Sequence, residues 1–256
     1  MKPSGDRDPV RRNIPTEPGP RGAAAIVTGA GSGIGRAVAL RLAAEGWHAL
    51  LLGRRADALA ATVAAAGAAR GRLAAHACDI SDPAAPAAAA EAALRHFGRL
   101  DALVNAAGVN TPRRALDVLS LEDYHRLLGT NLHGAYHCVQ AVLPAMRRQG
   151  AGTIVNINSE AGLRASAKSG AAYVIGKFGL TGLTQTINVE ERARGIRACS
   201  IFPGDVDTPL LDQRPAPPPP DARRRMMQPE DVAACVWLAL NLPPRAVVEE
   251  LVVRPR

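Results

Sequence analysis

The stretch Ala25-Ile26-Val27-Thr28-Gly29-Ala30-Gly31-Ser32-Gly33-Ile34-Gly35 decides the fold of this 256-residue chain. It runs from a short apolar segment through a glycine-rich turn into a helical pattern. The glycines follow the spacing Gly29-x-x-x-Gly33-x-Gly35, because Ile34 occupies the sixth position of the strict G-x-G-x-x-G pattern. Glycines let the backbone turn tightly and approach a pyrophosphate, and the helix that follows offers its N-terminal amides and its dipole. The stretch therefore predicts the first strand, turn and helix of a dinucleotide-binding fold.

From residue 22 onward, the chain alternates short apolar runs with longer helical patterns. The predicted strands are residues 23–28, 49–52, 73–77, 103–105, 153–157, 198–201 and 251–253. The predicted helices lie near residues 36–45, 56–66, 84–96, 121–146, 171–194 and 229–240. The alternation indicates βαβ units, and the first strands lack the polar alternation of a half-exposed sheet. The sequence therefore predicts an α/β fold, a doubly wound (Rossmann) parallel sheet of about seven strands with helices on both faces.

Proline content marks two segments that depart from this alternation. Residues 1–21 carry five prolines among charges and glycines, which predicts a disordered N-terminal tail. Residues 205–228 include four consecutive prolines, and a loop this long inside a compact domain is usually a lid, a binding loop or disordered. We therefore expect a single domain over residues 22–256, in which residues 205–228 form a substrate lid.

The formal net charge of +8 raises nucleic acid as a possible partner. The lysines are Lys2, Lys168 and Lys177, so arginine supplies most of the positive charge. The arginines are spread along the chain, except for the run Arg223-Arg224-Arg225. Scattered arginine is typical of a solvated surface, and no recognised nucleic-acid-binding motif accompanies it here. We therefore expect no nucleic-acid partner.

The cysteines form no CxxC pair and no Cys/His spacing that indicates zinc, so we expect no metal. They are the widely separated Cys78, Cys138, Cys199 and Cys235. Reduced, buried thiols in a reducing compartment are the expected state. No run of about 18 apolar residues predicts a transmembrane helix, and the first residues lack the apolar core of a signal peptide. The sequence therefore predicts a cytoplasmic protein with no membrane partner.

The end of the second predicted strand indicates which dinucleotide the fold binds. A site for NAD places a carboxylate about 20 residues after the glycine turn, where it accepts from the ribose 2′-hydroxyl. Here the strand ends in Gly53-Arg54-Arg55, with no acid. An arginine pairs with a 2′-phosphate, which a carboxylate would repel. The sequence thus favours NADPH, with NAD still possible. The alternative is that Arg54 and Arg55 only begin an exposed helix.

A tyrosine and a lysine lie one helical turn apart in Tyr173-Val174-Ile175-Gly176-Lys177. Residues at i and i+4 share one face of a helix. An ammonium group near a phenol favours the phenolate, so we expect Lys177 to lower the pKa of Tyr173 towards the range of a general acid or base. Alone, the pair is a weak signal, because such pairs are usually exposed.

Taken together, these motifs and several others resemble the classical short-chain dehydrogenase/reductase (SDR) family. The resemblance covers essentially all of residues 23–253, and the motifs occur in the order and with the gaps of the family. They are the glycine turn, Cys78-Asp79-Ile80, Asn105-Ala106-Ala107-Gly108, Asn131, Ser159, Tyr173, Lys177, and Pro203-Gly204 with Thr208. Each motif has a plain structural alternative, such as a turn serine at Ser159 or a helix cap at Thr208.

The resemblance implies a catalytic set of Asn131, Ser159, Tyr173 and Lys177. Tyr173 would exchange a proton with the substrate oxygen, and Ser159 would hydrogen-bond that oxygen. Lys177 would bind the nicotinamide ribose, and Asn131 would hold a water that links Lys177 to solvent. Asp79 would contact the adenine. The implied cofactor site comprises Thr28, Gly29, Ser32, Gly33, Ile34, Gly35, Arg54, Arg55, Asp79, Ile80, Asn105, Ala106, Gly108, Tyr173, Lys177, Pro203, Gly204, Val206 and Thr208.

The chain departs from the family pattern at three points. Thirteen residues separate Ser159 from Tyr173, one more than usual, which places an extra residue around 165–170. Gly176 replaces the usual serine before the lysine and weakens a helix by about 1 kcal/mol relative to alanine. The C-terminal segment lacks the common Val-Asp-Gly-Gly pattern and is closer to the branch that contains NADP-dependent 3-hydroxy acid dehydrogenases.

The resulting functional prediction is an NADP(H)-dependent oxidoreductase that acts on a carbonyl or alcohol carbon of a small molecule, with hydroxy acids among the candidates. One alternative is a 3-oxoacyl-carrier-protein reductase, in which Arg223-Arg224-Arg225 meets an acidic carrier. A non-enzymatic alternative is an NADP sensor or scaffold that kept the fold. Because family members pair their two long helices across two-fold axes, the resemblance also predicts a homodimer or homotetramer.

Overall fold

The computed structural model describes residues 22–256, so the predicted N-terminal tail, residues 1–21, lies outside the described residues. The strands are β1 (Ala24–Thr28), β2 (His48–Gly53), β3 (Leu73–Ala77), β4 (Ala102–Asn105), β5 (Gly152–Ile157), β6 (Ile196–Pro203) and β7 (Glu250–Val253). The helices are α1 (Gly33–Ala44), α2 (Ala56–Ala65), α3 (Ala84–Phe97), α4 (Leu121–Leu128), α5 (Gly134–Gln149), α6 (Ala171–Glu191), α7 (Pro220–Arg223) and α8 (Pro229–Asn241).

The seven strands form one sheet in the order β3-β2-β1-β4-β5-β6-β7. Every neighbouring pair is parallel. The order reverses between β1 and β4, where the register pairs Ile26 with Leu103. Ligands of doubly wound folds bind beyond the carboxyl ends of the strands at this reversal. The predicted doubly wound parallel sheet is confirmed.

Helices cover both faces of the sheet and divide the core into two apolar layers. On one face, Val38 of α1 and Val236 of α8 pack with sheet residues such as Val27. On the other, Ala93 of α3 and Val142 of α5 pack with residues such as Ile26. Neighbouring residues of β1 therefore serve opposite layers, which explains why the whole strand is buried and apolar.

The predicted helix at residues 121–146 is interrupted in the structure by one π-helical turn. Helix α4 ends at Leu128, the π turn spans Gly129–His133, and α5 continues from Gly134. A π turn inserts one extra residue into the helical repeat, and hydrophobic periodicity does not reveal it. Strand β6 likewise extends beyond the predicted residues 198–201, to Pro203. No helix among residues 22–256 is long and apolar enough to cross a membrane.

Candidate active site

Two cavities open at the carboxyl edge of the sheet, and Tyr173 lines both of them. The glycine-loop cavity, of about 440 Å³, contains the predicted site residues Gly29, Ser32, Gly33, Ile34, Arg54, Arg55, Asp79, Ile80, Ala106, Gly108, Tyr173, Lys177 and Thr208. The Ser159 cavity, of about 420 Å³, contains the predicted site residues Ile34, Ser159, Tyr173, Pro203, Gly204, Val206 and Thr208. The remaining predicted residues, Thr28, Gly35, Asn105 and Asn131, lie behind the cavity walls.

The glycine turn owes its shape to close backbone approaches that a side chain would block. Gly29 has a φ of +64°, and a Cβ there would lie 2.7 Å from the Cα atom of Ala107. A Cβ on Gly35 would lie 2.5 Å from the carbonyl oxygen of Gly29. Beneath the turn, the Thr28 hydroxyl oxygen accepts hydrogen bonds of 3.0 Å from the backbone amides of Ala106 and Ala107. These contacts fix the turn against the end of β4.

The N-terminus of α1 faces this cavity, and the Ser32 side chain does not cap its backbone amides. The N-cap residue Ser32 makes no capping hydrogen bond, and the first turn contains no acidic residue. Both features suit an anionic ligand, because unsatisfied amides and the helix dipole attract negative charge. The narrow backbone cradle and this helix end therefore fit the pyrophosphate of a dinucleotide.

The opposite end of the cavity carries two exposed arginines where β2 ends. Arg54 and Arg55 line it beside Gly53, and neither forms an ion pair within residues 22–256. Nearby, the Asp79 carboxylate accepts from the Ser81 hydroxyl at 2.7 Å and from its backbone amide at 3.0 Å. These hydrogen bonds, with a smaller contribution from the charge of Arg54, lower the pKa of Asp79. The carboxylate is thereby held ionised and oriented.

Tyr173 and Lys177 project from the first turns of α6 between the two cavities. The Lys177 ammonium donates a 2.7 Å hydrogen bond to the carbonyl oxygen of Ile157 and lies 5.6 Å from the Tyr173 ring centroid. Burial lowers the pKa of Lys177 to about 8. Ser159 follows β5 and lines the same cavity as Tyr173, and its hydroxyl oxygen accepts from the backbone amide of Ala161 at 3.2 Å.

The pKa of Tyr173 corrects one expectation drawn from the sequence. Burial raises that pKa above its ordinary value, because the buried phenolate loses its hydration. A hydrogen bond from Ser159 and the positive charges of Arg114 and Arg214 act in the opposite direction. The groups that stabilise the Tyr173 phenolate are therefore Ser159, Arg114 and Arg214. The helical spacing had instead predicted that Lys177 stabilises it.

Asn131 lies at the centre of the π turn and makes two hydrogen bonds to the backbone of Val109, in the loop after β4. Its side-chain oxygen accepts from the Val109 amide at 2.9 Å, and its side-chain nitrogen donates to the Val109 carbonyl at 2.9 Å. Gly176 packs directly against this turn, since a Cβ there would lie 3.3 Å from the Cβ atom of Asn131. The close packing gives a physical reason for glycine before Lys177. The water link from Asn131 to Lys177 stays a prediction.

Asn105 ends β4 behind the glycine-loop cavity. Its side-chain nitrogen donates to the side-chain oxygen of Asn156 at 2.9 Å. Its own side-chain oxygen is buried and makes no hydrogen bond to any described residue. This polar atom lies just behind the cavity wall that Ala106 and Gly108 form.

Residues 205–228 fold over the Ser159 cavity and contain secondary structure of their own. They include a 3₁₀ helix at Pro209–Gln213 and the short helix α7. Their two ends meet in a parallel bridge between Val206 and Met227. There the Asp207 amide donates to the Met227 carbonyl at 2.8 Å, and the Met227 amide donates to the Asp205 carbonyl at 3.2 Å. The segment is therefore a closed loop fastened at its base.

A family model described as short chain dehydrogenase matches residues 23–218. The chain belongs to the short-chain dehydrogenase family. It is 40% identical over 189 residues to the short-chain reductase protein NovJ of Streptomyces niveus, which covers 74% of this chain and 71% of that relative.

Solved structures agree with this assignment and differ in the cofactor that they contain. The alcohol dehydrogenase of Thermococcus sibiricus, complexed with 5-hydroxy-NADP, has a TM-score of 0.81 at 29% identity and covers 91% of this chain and 96% of its own. The 3-ketoacyl-(acyl-carrier-protein) reductase of Brucella melitensis, complexed with NADH, has a TM-score of 0.82 at 28% identity and covers 91% and 97%. This short-chain dehydrogenase is an oxidoreductase of alcohol and ketone substrates, and its family uses a nicotinamide cofactor.

The residues of this short-chain dehydrogenase that sequence reasoning missed are charged side chains in the Ser159 cavity. Arg114 lies in the loop after β4, and Arg214 lies in the segment 205–228. No motif marks either residue, and in the sequence both resemble the other scattered surface arginines.

The run Arg223-Arg224-Arg225, which the sequence offered as a contact for an acidic carrier protein, is largely paired within the chain. Arg223 pairs with Asp212, and Arg224 pairs with Asp221. Local carboxylates thus neutralise two of those three charges.

Proposed function

We propose that this short-chain dehydrogenase prefers NADPH and interconverts a carbonyl and an alcohol in a small molecule. The observation that carries the cofactor preference is the pair Arg54 and Arg55 at the end of β2, next to Gly53 and without a carboxylate. Both guanidinium groups are exposed towards the cavity and lack ion-pair partners among the described residues. A 2′-phosphate supplies the missing partner, because guanidinium and phosphate form paired, charge-assisted hydrogen bonds.

In the proposed reaction, the bound nicotinamide supplies or accepts the hydride. Tyr173 donates a proton to the carbonyl oxygen during reduction and takes one from the hydroxyl during oxidation. Ser159 hydrogen-bonds the same oxygen, since its hydroxyl lies in the cavity that Tyr173 also lines. Lys177, which is buried and bonded to Ile157, orients towards the nicotinamide ribose from the other cavity.

The remaining predicted residues would hold the cofactor along the glycine-loop cavity. The amides of Ser32, Gly33 and Ile34 would bind the pyrophosphate, and Asp79 would contact the adenine. Around the nicotinamide, the wall would be formed by Ala106, Gly108, Pro203, Gly204, Val206 and Thr208, with Asn105 behind it. Residues 205–228 would close over the substrate and exclude water from the reaction.

Cofactor titration tests the proposed preference. We expect NADPH to bind at least about tenfold more tightly than NADH, or about 1.4 kcal/mol. Arg54→Ala should remove most of that preference and leave NADH binding unchanged, because NADH lacks the 2′-phosphate. Arg70→Ala is the matched control, since Arg70 is exposed after α2 and lines neither cavity. Equal affinities in the wild type, or an unchanged preference in Arg54→Ala, contradict the proposal.

Turnover distinguishes an enzyme of this kind from a cofactor sensor. We expect NADP⁺ reduction with at least one member of a panel of hydroxy acids, sugars, steroids and simple alcohols. Binding of NADPH without turnover of any alcohol or ketone would instead indicate a sensor or scaffold. Turnover of carrier-bound 3-oxoacyl chains alone would favour the reductase of carrier-linked substrates.

We also propose a homodimer or homotetramer that pairs α5 and α6 with a second copy. Large apolar side chains are exposed on these helices, among them Tyr136, Ile175, Phe178 and Val189. Large exposed apolar side chains of this kind favour an interface with a second copy. Light scattering at micromolar concentration should give a dimer or tetramer mass, and a monomer would count against the proposal.

A further inference from the structure

The Ser159 cavity carries more positive than negative charge close to the reacting hydroxyl of Tyr173. Its walls include five basic side chains, Arg114, Arg164, Lys168, Arg214 and Arg254, and two carboxylates, Glu160 and Asp205. The remaining wall is mostly small or apolar. Burying charge without a partner is costly, so the pairing of these groups decides what the cavity can bind.

One carboxylate pairs with two of the cations that line the cavity. Asp205 lies 2.6 Å from the nearest Arg214 nitrogen and 2.5 Å from the Lys168 ammonium. Arg254 is paired separately with Glu160 at 2.5 Å. The Asp205 cluster therefore holds two positive charges against one negative charge.

Arg114 adds a third positive charge that has no carboxylate partner among residues 22–256. It is 6% exposed, and its guanidinium donates to the carbonyl oxygens of Thr111 at 2.7 Å, Lys168 at 3.2 Å and Gln213. Burial and the nearby charge of Arg214 both lower the pKa of Arg114. Three of its five N–H groups donate to carbonyl oxygens, and these neutral groups supply no negative charge to pair with the guanidinium.

Of these two guanidinium groups, Arg214 is the one able to take a new partner. All three donor nitrogens of Arg114 are occupied by backbone carbonyls that tie three loops together. Arg214 has a single ion-pair contact, and Lys168 also holds the Asp205 carboxylate. The Arg214 side chain is 19% exposed, so it remains accessible from the cavity.

Resting on the proposed function, we propose that the substrate carries a compact anionic group, a carboxylate in the simplest case, and that Arg214 binds it beside Tyr173. The anion supplies the counter-charge that the cluster of Arg114, Lys168 and Arg214 lacks. Two parallel N–H donors of a guanidinium match the two oxygens of a carboxylate, so Arg214 also orients the neighbouring carbonyl carbon. The substrates of this site are thus oxo acids and their hydroxy acid counterparts.

Matched substrate pairs test this inference. NADPH-dependent reduction is measured with acetoacetate against acetoacetamide and with levulinate against levulinamide, which differ in charge but barely in shape. We expect kcat/KM of the better acid to exceed that of its amide by at least about tenfold, a difference of about 1.4 kcal/mol. Arg214→Gln should abolish this preference and change the rate with the amide much less. Arg225→Gln, an exposed lid arginine outside the cavity, should keep the preference.

A binding measurement makes failure of this inference distinguishable from failure of the proposed function. The NADP⁺-bound protein is heated with each acid or amide, because a ligand that binds the native state raises Tm. We expect a higher Tm with acetoacetate or levulinate than with its amide, and loss of that difference in Arg214→Gln.

The outcomes separate as follows. If amides and simple ketones are reduced as well as the acids, or if the acids are reduced faster but Arg214→Gln keeps that preference, the anion site is wrong although the reductase stands. If no carbonyl compound is reduced but the acids still raise Tm through Arg214, the proposed function fails and the anion site stands.

Discussion

The two cavities that meet at Tyr173 differ in the groups that form their walls. The glycine-loop cavity is shaped largely by backbone, in which glycines such as Gly29 and Gly35 make approaches that a Cβ would prevent. The Ser159 cavity is shaped by charged side chains from several loops, with Arg114 and Arg214 among them. Backbone cradles need particular residues at particular spacings, so they leave a motif in the sequence. Side chains that converge from distant loops leave none.

The largest expected effect is a loss of turnover on substitution of Tyr173, which lines both cavities. Tyr173→Phe removes only the hydroxyl, so it should lower kcat by at least about 100-fold, as expected for loss of a general acid or base. NADPH affinity should stay within about twofold of the wild type, which fluorescence titration of the cofactor measures. Ser159→Ala should lose less, because that hydroxyl orients the oxygen without transferring its proton. A Tyr173→Phe variant that keeps more than a tenth of the wild-type rate would overturn the assigned role.

An added methyl group tests the claim that backbone shape defines the glycine-loop cavity. In Gly35→Ala the new Cβ would lie 2.5 Å from the Gly29 carbonyl oxygen, and overpacking of this kind costs about 1–3 kcal/mol. We expect a lower Tm and at least about tenfold weaker NADPH binding.

Gly71→Ala is the control for that prediction, because an added Cβ in the 3₁₀ helix that follows α2 meets no atom within 4 Å and lies away from both cavities and from α5 and α6. Replacing an exposed helical glycine by alanine should stabilise the protein by about 0.4–1 kcal/mol. Chemical denaturation measures both changes. If Gly35→Ala bound NADPH normally, the cradle would not be the pyrophosphate site.

The smallest effect concerns the pH dependence of the oxidation reaction. Alcohol oxidation needs the Tyr173 phenolate, so its rate should rise with pH, whereas ketone reduction needs the protonated phenol and should fall. Burial raises the pKa of Tyr173, and the charges of Arg114 and Arg214 lower it. Removing one of these charges in Arg214→Gln should therefore move the rising limb to higher pH. The limb is followed through kcat/KM for a neutral alcohol, and a shift to lower pH would contradict the charge coupling.

Much of the fold was predictable because its signals are local. The order of apolar runs and helical patterns predicted the parallel doubly wound sheet, which the strand order confirms. The glycine turn was predictable for the same reason, since strand β1, the turn and helix α1 are contiguous in the chain. The π turn around Asn131 was not, because one inserted residue hardly disturbs the apolar pattern of a long helix.

The charge around Tyr173 was unpredictable because it depends on distant contacts. Arg114 bonds carbonyl oxygens 54 and 99 positions later in the chain. Its burial arises only when those loops fold over it, and an isolated arginine in the sequence is typical of a surface. Helical spacing placed Lys177 near Tyr173 correctly, but spacing alone does not report how much burial raises the pKa of the phenol.

The bridge between Val206 and Met227 has a consequence for how enzymes of this architecture diversify. The two ends of residues 205–228 are joined to each other next to β6, so the residues between them can be replaced without separating those ends. The entropic cost of closing a longer loop grows slowly, by about 0.6 kcal/mol for each doubling of its length. Insertions and replacements there can remodel the Ser159 cavity while helix α6, which carries Tyr173, and the glycine turn keep their geometry. Attachment at this bridge therefore lets the substrate cavity change separately from the residues assigned to proton and hydride movement.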